Sequence, residues 1–192
     1  MTSTDPAPAP RSRRSDAVRN RRRIVTAAAA LFAADGLSVS VADVARAAGV
    51  GTGTVGRHFE TKTELIQAAL ADPIVEVIAR ADRADRLEPM AALHEVFHSM
   101  VEAAAAHRGL GDALAGLGGW EVTAALHQIG AADIRRVLDR TLIRAARSGA
   151  LRDDITATQV LQLAIACIKV HREEGRRSSE IAQDIVLRGL RR

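Results

Sequence analysis

The sequence predicts an all-α protein, with an N-terminal head of three helices followed by a C-terminal helical bundle. Apolar residues recur at spacings of three and four along most of the chain, which is the helical period. The composition is 47% hydrophobic but only 2% aromatic, with no tyrosine. Small aliphatic side chains of this kind favour packed helices over a β-sandwich. No stretch shows the sustained alternation that is typical of a strand.

Composition also limits the class of protein. A single cysteine, Cys167, excludes an intramolecular disulfide and a zinc site built from several cysteines. The segment Met1–Pro10 lacks the apolar stretch of a signal peptide. The longest apolar run, Val160–Val170, is short and interrupted by polar residues, so it does not predict a membrane span. We therefore expect a soluble, cytoplasmic protein with no membrane partner.

Positive charge is concentrated at the N-terminus. The first 23 residues carry seven arginines and two aspartates, a net charge of +5, whereas the whole chain has +4. This imbalance favours a polyanion partner at that end, although a solvated tail is the alternative interpretation. Because residues 2–14 are rich in Thr, Ser, Pro, Ala and Arg, residues 1–15 are predicted to be a disordered basic arm.

The head is predicted to span residues 16–62. Its first helix covers about Asp16–Ala34, with an apolar stripe that includes Phe32. The second begins at a capping box formed by Ser40 and Asp43 and ends at Gly49. The third covers about residues 52–59.

The body is predicted to span residues 63–192. Thr61 and Glu64 form a second capping box before a helix that continues through Pro73. Further helices are predicted at about residues 90–104, 110–117, 121–147, 156–171 and 179–190.

Residues 40–59 have the features of a helix-turn-helix. Ala45 is small enough for two helices to cross closely, and Gly49 permits the positive φ that the turn needs. Val44, Val50 and Val55 would pack the two helices together. The outward face of the second helix carries only hydrogen-bonding residues, namely Thr52, Thr54, Arg57 and His58. This pattern predicts DNA binding.

Three glycines in the same segment also match a nucleotide-binding pattern. Gly51, Gly53 and Gly56 satisfy G-x-G-x-x-G, which requires a preceding strand. A capped helix precedes them here, so the interpretation as a nucleotide-dependent enzyme is disfavoured. Because no pairing of a nucleophile with a base stands out either, we expect no enzymatic activity and no cofactor.

Three segments in order resemble the TetR (tetracycline repressor) family of bacterial regulators. They are RIVTAAAALFAADG at 23–36, VSVADVARAAGVGTGTV at 39–55 and RHFETKTELIQAAL at 57–70. Residues 16–70 carry the likeness, and the remainder is similar only as a bundle of helices. The resemblance implies sequence-specific DNA binding, most often as a repressor released by a small-molecule effector. A nonspecific DNA-coating protein led by the arginine-rich arm is the alternative.

The resemblance implies DNA contacts from six side chains: Ser40, Thr52, Thr54, Arg57, His58 and Lys62. Arg57 would give two donors to a guanine, Thr54 would contact a thymine methyl group, and His58 and Lys62 would contact phosphates. Thr52 as a simple N-cap, and Arg57 or Lys62 as surface charges, remain alternatives. The sequence departs from the family at Gly56, where a tyrosine commonly contacts a phosphate.

One helix-turn-helix offers few contacts, so we expect a homodimer that binds a palindromic operator in double-stranded DNA. The predicted dimer interface lies on the last two helices: Val160, Leu161, Ala164, Ile165, Ile168, Ile181, Ile185, Val186 and Leu190. The alternative is that these faces pack only inside the monomer.

The middle helices would hold an effector pocket, as the resemblance implies. Its candidate lining residues are His94, Phe97, His98, Met100, Trp120 and His127. Core filling is the alternative for Phe97 and Met100. His94 and His98 have the spacing of a pair of metal ligands, but no third ligand is evident, so no metal site is predicted.

Overall fold

The computed structural model describes residues 10–115 and 132–192. Within them it contains nine α-helices and no strand beyond the isolated antiparallel bridge between Leu151 and Arg191. The helices are α1 Pro10–Asp35, α2 Val41–Ala48, α3 Thr52–His58, α4 Lys62–Ala84, α5 Pro89–Ala106, α6 Arg108–Leu114, α7 Ala132–Arg147, α8 Ala157–Glu174 and α9 Arg176–Gly189. The all-α prediction is confirmed.

The head consists of α1, α2 and α3, and its core is closed by small and aliphatic residues. Ile24 and Phe32 of α1, Val44 and Ala45 of α2 and Val55 of α3 are all buried in the same core. Helix α1 begins at Pro10, six residues before the predicted start. Residues 10–15 are therefore helical and do not belong to a disordered arm, while residues 1–9 lie outside the described residues.

The helix ends follow the predicted capping chemistry with one difference. Ser40 and Asp43 form the complete capping box of α2, and Gly49 takes the left-handed conformation, with φ of 63°. Thr61 Oγ1 accepts from the Glu64 amide at 3.1 Å, as predicted. The Glu64 carboxylate, however, accepts from the amide of Glu60 at 2.9 Å, one residue before the cap.

The body is organised around α5, which packs against α4, α7 and α8. Helix α4 continues through Pro73, as predicted, and carries the head at its N-terminal end. Of the helix predicted at 121–147, the structure describes Ala132–Arg147, and the earlier part lies outside the described residues.

The C-terminal residues are held against the body by packing and by a hydrogen bond. Helices α8 and α9 pack against each other, and the Arg192 amide donates to the Ala150 carbonyl at 3.1 Å, which ties the chain end to the α7–α8 loop. None of the described helices combines the length and apolar character that a membrane span requires.

Candidate DNA-binding site

Helix α3 presents hydrogen-bonding groups on its outer face. Val55 and Phe59 are 1% and 5% exposed and fix the inner side of the helix against the head. On the other side Thr52 and Arg57 are exposed, and Thr54 and His58 are half-buried. Arg57 makes no hydrogen bond or ion pair with a described residue, so its guanidinium is available to an external acceptor. The six predicted contact residues come from three segments: the Ser40 cap, α3 and the start of α4.

Arg23 holds the turn before α3 in place. Its Nη2 donates to the Ala48 carbonyl at 2.7 Å and reaches the Gly49 carbonyl at 3.4 Å. The last carbonyls of a helix lack partners within the helix and carry partial negative charge, so a guanidinium there is favourable. This role of Arg23 was not predicted from the sequence. Its place directly before the buried Ile24 was the signal that it lies at the edge of the core.

A second arginine of the basic segment also has a role inside the head. The Arg21 guanidinium lies over the Phe59 ring, 5.0 Å from its centroid, in a cation–π contact. Arg22, between them, has no partner among the described residues and lines a groove between α1 and α2. The basic segment is therefore divided between arginines that stabilise the head and arginines that face solvent.

The groove between α1 and α2 is positively charged at its rim. It has a volume of about 660 Å³, and its floor includes Ala27, Ala30, Leu31 and Ala47. Its rim carries Arg19, Arg22, Arg23 and Arg46. The groove reaches Gly49, just before α3, and two of its rim arginines, Arg19 and Arg46, form ion pairs with Asp16 and Asp43.

Two of the predicted contacts have partners inside the head. Ser40 Oγ donates to the Asp43 carboxylate at 2.5 Å, while the Asp43 amide donates to Ser40 Oγ at 3.1 Å. The side-chain bond from Ser40, then its backbone bond and the nearby Arg46, lower the pKa of Asp43. Lys62 Nζ donates to the Leu37 carbonyl at 2.7 Å, a bond not predicted from the sequence.

The predicted effector residues separate into two groups. Phe97 and Met100 are 0% and 3% exposed and fill the core, which agrees with the alternative interpretation. His94 and His98 line a cleft of about 490 Å³ between α5 and α9. Trp120 and His127 lie outside the described residues.

The histidine cleft is polar. His98 Nδ1 lies 3.0 Å from Gln183 Oε1, while His94 Nε2 is buried without a hydrogen-bond partner. Burial, and secondly the positive charge of Arg191, lower the pKa of His94, with partial compensation from Asp184. Within residues 10–115 and 132–192, no three side chains of the metal-ligating types lie close enough together to hold a metal ion.

The predicted dimer face is also divided by burial. Four of its residues belong to the core of the protomer, so their assignment to the interface is corrected: Val160, Ala164, Ile168 and Leu190. They lie on the sides of α8 and α9 that pack inward. Ile181 and Ile185 are 56% and 65% exposed, and Leu161, Ile165 and Val186 are half-buried. These five residues are the part of the predicted interface that the protomer leaves accessible.

Two family models match the chain. One, described as bacterial regulatory proteins of the tetR family, matches residues 24–69, which cover most of the head and the start of α4. The other, described as the C-terminal domain of SbtR-like transcriptional regulators, matches residues 88–192. No curated protein matches the chain.

Solved structures agree with the family models. A TetR transcriptional regulator from Streptomyces coelicolor is 30% identical, with a TM-score of 0.59 over 89% of this chain and 98% of that one. A TetR regulatory protein from Mycobacterium vanbaalenii is 35% identical, with a TM-score of 0.56 over 93% and 99%. The regulator RolR, solved with resorcinol, shares the fold at 22% identity, with a TM-score of 0.62 over 92% and 89%. The chain belongs to the TetR family of bacterial transcriptional regulators.

Proposed function

We propose that the protein is a homodimeric repressor that binds a palindromic operator through α3 and is released from it by a small-molecule effector. The observation that carries the proposal is the state of Arg57, which is exposed on α3 and has no partner among the described residues. A guanidinium in this position can donate two hydrogen bonds to O6 and N7 of a guanine. Thr52 and Thr54 lie on the same short helix and would contact neighbouring bases.

The phosphate contacts would come from groups around α3. His58 is half-buried at the end of the helix, and Arg22 faces solvent beside the turn that precedes it. For Ser40 the supporting geometry is the start of α2, where the helix N-terminus favours an anion. Lys62 would have to share its ammonium group between the Leu37 carbonyl and a phosphate, which its three donors permit.

The cleft that contains His94 and His98 is the candidate effector site. Its volume of about 490 Å³ lies within the range of small-molecule pockets, and its residues come from both α5 and α9. RolR, which shares the fold, was solved with resorcinol. An effector between α5 and α9 would favour a dimer whose two heads are wrongly spaced for successive major grooves.

The dimer would use the exposed apolar side of α9. Ile181 and Ile185 lie one helical turn apart and both are more than half exposed. Two such faces meeting across a two-fold axis, together with Leu161 and Ile165 of α8, would form a four-helix bundle.

The experiment is selection of duplexes from a random-sequence library by the purified full chain, followed by titration of the enriched duplex. Arg57→Ala is expected to weaken binding by about 1–3 kcal/mol and to relax the preference at one base pair in each half-site. The matched control is Arg188→Ala, which removes an exposed arginine from α9 and should leave the preference unchanged.

Two outcomes would contradict the proposal. If Arg57→Ala keeps the full sequence preference, α3 does not contact the bases as proposed. If the protein enriches no sequence, and deletion of residues 1–15 removes most of its affinity, it is instead a nonspecific DNA-coating protein.

A further inference from the structure

Asp112 joins the head to the body at the turn between α1 and α2. It lies on α6, and its side chain is only 14% exposed. Its Oδ2 accepts from the Leu37 amide at 3.1 Å, in the 3-10 turn Gly36–Ser38 that ends the α1 segment. Its Oδ1 accepts from Arg172 Nη1 at 2.9 Å, near the end of α8. One carboxylate thus binds a turn of the head and a helix of the body.

The contact continues in both directions. On the body side, Arg172 Nη2 donates to the Arg108 carbonyl at 2.7 Å, which fixes α8 to the first residue of α6. On the head side, the Leu37 carbonyl accepts from Lys62 Nζ at 2.7 Å, which fixes the turn to the first residue of α4. Hydrogen bonds and one ion pair therefore form a continuous path from α8 through α6 to the start of α4.

The packing around this path is tight at two glycines, Gly36 and Gly109. Gly36 has a φ of 76°, and a Cβ atom there would lie 2.2 Å from Asp112 Oδ2. A Cβ at Gly109 would lie 3.0 Å from the Phe32 carbonyl oxygen, so α6 is seated directly on the end of α1. A tightly packed junction of this kind has few alternative arrangements, and movement of one member must move the others.

We propose that Asp112 and Arg172 are positioning residues, which transmit the placement of α8 to the head and so fix the spacing of the two heads in the dimer. The inference rests on the proposed function, because spacing matters only to a dimer that binds two half-sites. Arg172 lies in the helix that precedes α9, so the pair would link the proposed dimer helices to the DNA-binding head. The Asp112 carboxylate is the one group that binds both Leu37 and Arg172.

The first test measures the coupling without DNA. Hydrogen exchange at the Leu37 amide is followed in the full chain for the wild type, Arg172→Ala and Lys169→Ala. Arg172 makes no hydrogen bond to Leu37, so faster exchange in Arg172→Ala, by about fivefold or more, is the expected result of a change that Asp112 transmits. Lys169→Ala removes the same charge from an exposed position of α8, where the side chain is 74% exposed, and should leave the exchange unchanged.

The second test uses the duplex that the wild-type protein selects from a random library, and the same duplex cut to one half-site. Asp112→Asn keeps an oxygen acceptor for Leu37 but loses the charge that holds Arg172. Asp112→Asn and Arg172→Ala are both expected to lose about tenfold in affinity for the two-half-site duplex and less than twofold for the half-site. They should also discriminate less against duplexes with one base pair inserted between the half-sites.

The results separate positioning from simple destabilisation. Equal losses on both duplexes would overturn the proposal, because a poorly folded head binds either duplex weakly. Unchanged Leu37 exchange in Arg172→Ala would also overturn it. A wild-type protein that enriches no sequence would contradict the proposed function alone, since the exchange measurement still decides whether Asp112 couples α8 to the head.

Discussion

Arg23 Nη2 and the Ala48 carbonyl oxygen lie 2.7 Å apart, and this bond joins the middle of α1 to the end of α2. The same nitrogen reaches the Gly49 carbonyl at 3.4 Å. These two carbonyls immediately precede the turn from which α3 starts. The turn before the candidate DNA-contacting helix is therefore held by an arginine that lies outside the helix-turn-helix itself.

Replacing Arg23 with alanine is expected to destabilise the head. Loss of a charged hydrogen bond to a partly buried carbonyl should lower the free energy of unfolding by about 1–2 kcal/mol. Urea denaturation, monitored by circular dichroism, measures this change in the free energy of unfolding. Arg22→Ala is the matched control, since the neighbouring side chain has no partner among the described residues. Equal stability of the two variants would show that the Arg23 bond contributes nothing in solution.

A substitution at Gly49 tests the turn. Its φ of 63° is unfavourable for a residue with a side chain, and a Cβ atom would lie 2.8 Å from Arg23 Nη2. Gly49→Ala should therefore cost about 1–2 kcal/mol of unfolding free energy. At Gly53 a Cβ atom meets nothing within 4 Å, so Gly53→Ala should stabilise α3 by up to about 1 kcal/mol. In the same denaturation experiment, we expect Gly49→Ala to lower the free energy of unfolding and Gly53→Ala to raise it. A stabilising effect of Gly49→Ala would contradict this expectation.

Most of the fold could be predicted from the sequence because local signals and apolar spacing agree. The Ser40 cap, the Gly49 turn and the passage of α4 through Pro73 each depend on neighbouring residues only. The start of α1 was misplaced because a segment rich in Pro, Ser and Arg has the composition of a disordered arm, although Pro10 suits a first helical position.

The site was less predictable because its supporting contacts are distant in sequence. Arg23 meets Ala48 across 25 residues, and Lys62 meets Leu37 across the same separation. Asp112 meets Leu37 across 75 residues. Apolar spacing shows that a helix has a buried face but does not show which helix covers it, so the core residues of α8 and α9 were assigned to the dimer interface.

A tyrosine at position 56 is expected to strengthen DNA binding. Nothing lies within 4 Å of a Cβ atom at Gly56, so the head can accept a larger side chain there. A phenolic hydroxyl that reaches a phosphate would add about 1 kcal/mol, or roughly a fivefold gain in affinity for the selected duplex. Gly56→Phe is the control, because it has the ring without the hydroxyl. If both variants bind equally tightly, the gain comes from helix propensity and not from a phosphate contact.

Because of His94, we expect the folded protein to lose stability at mildly acidic pH. Burial, and then Arg191, lower its pKa in the folded protein relative to about 6.5 in the unfolded chain. The unfolded chain therefore binds the proton more readily, and the free energy of unfolding falls as the pH drops below about 6.5. The charged and titratable groups that share the cleft with His94 are Glu95, His98, Glu180, Asp184 and Arg191.

The measurement is urea denaturation of the wild type and His94→Gln at pH 7.5 and 5.5. The wild type should lose more stability than the variant between these two values, because glutamine does not titrate. An identical change in both proteins would mean that protonation of His94 is not coupled to folding.

A charge on the exposed side of α9 is expected to weaken dimerisation. Ile185 is 65% exposed in the protomer, and Ile181, one turn earlier, is 56% exposed. Burying an isoleucine side chain contributes about 1.5 kcal/mol or more, and a two-fold axis uses each residue twice. Ile185→Glu should therefore raise the dissociation constant of the dimer by about 100-fold or more. Sedimentation velocity over a range of protein concentrations measures this dissociation constant.

Val75→Glu is the matched control, since Val75 is 59% exposed on α4, away from the proposed interface. Because Ile185 is outside the core, the Ile185→Glu monomer should keep its helical content. A variant that dimerises like the wild type would move the interface away from α9.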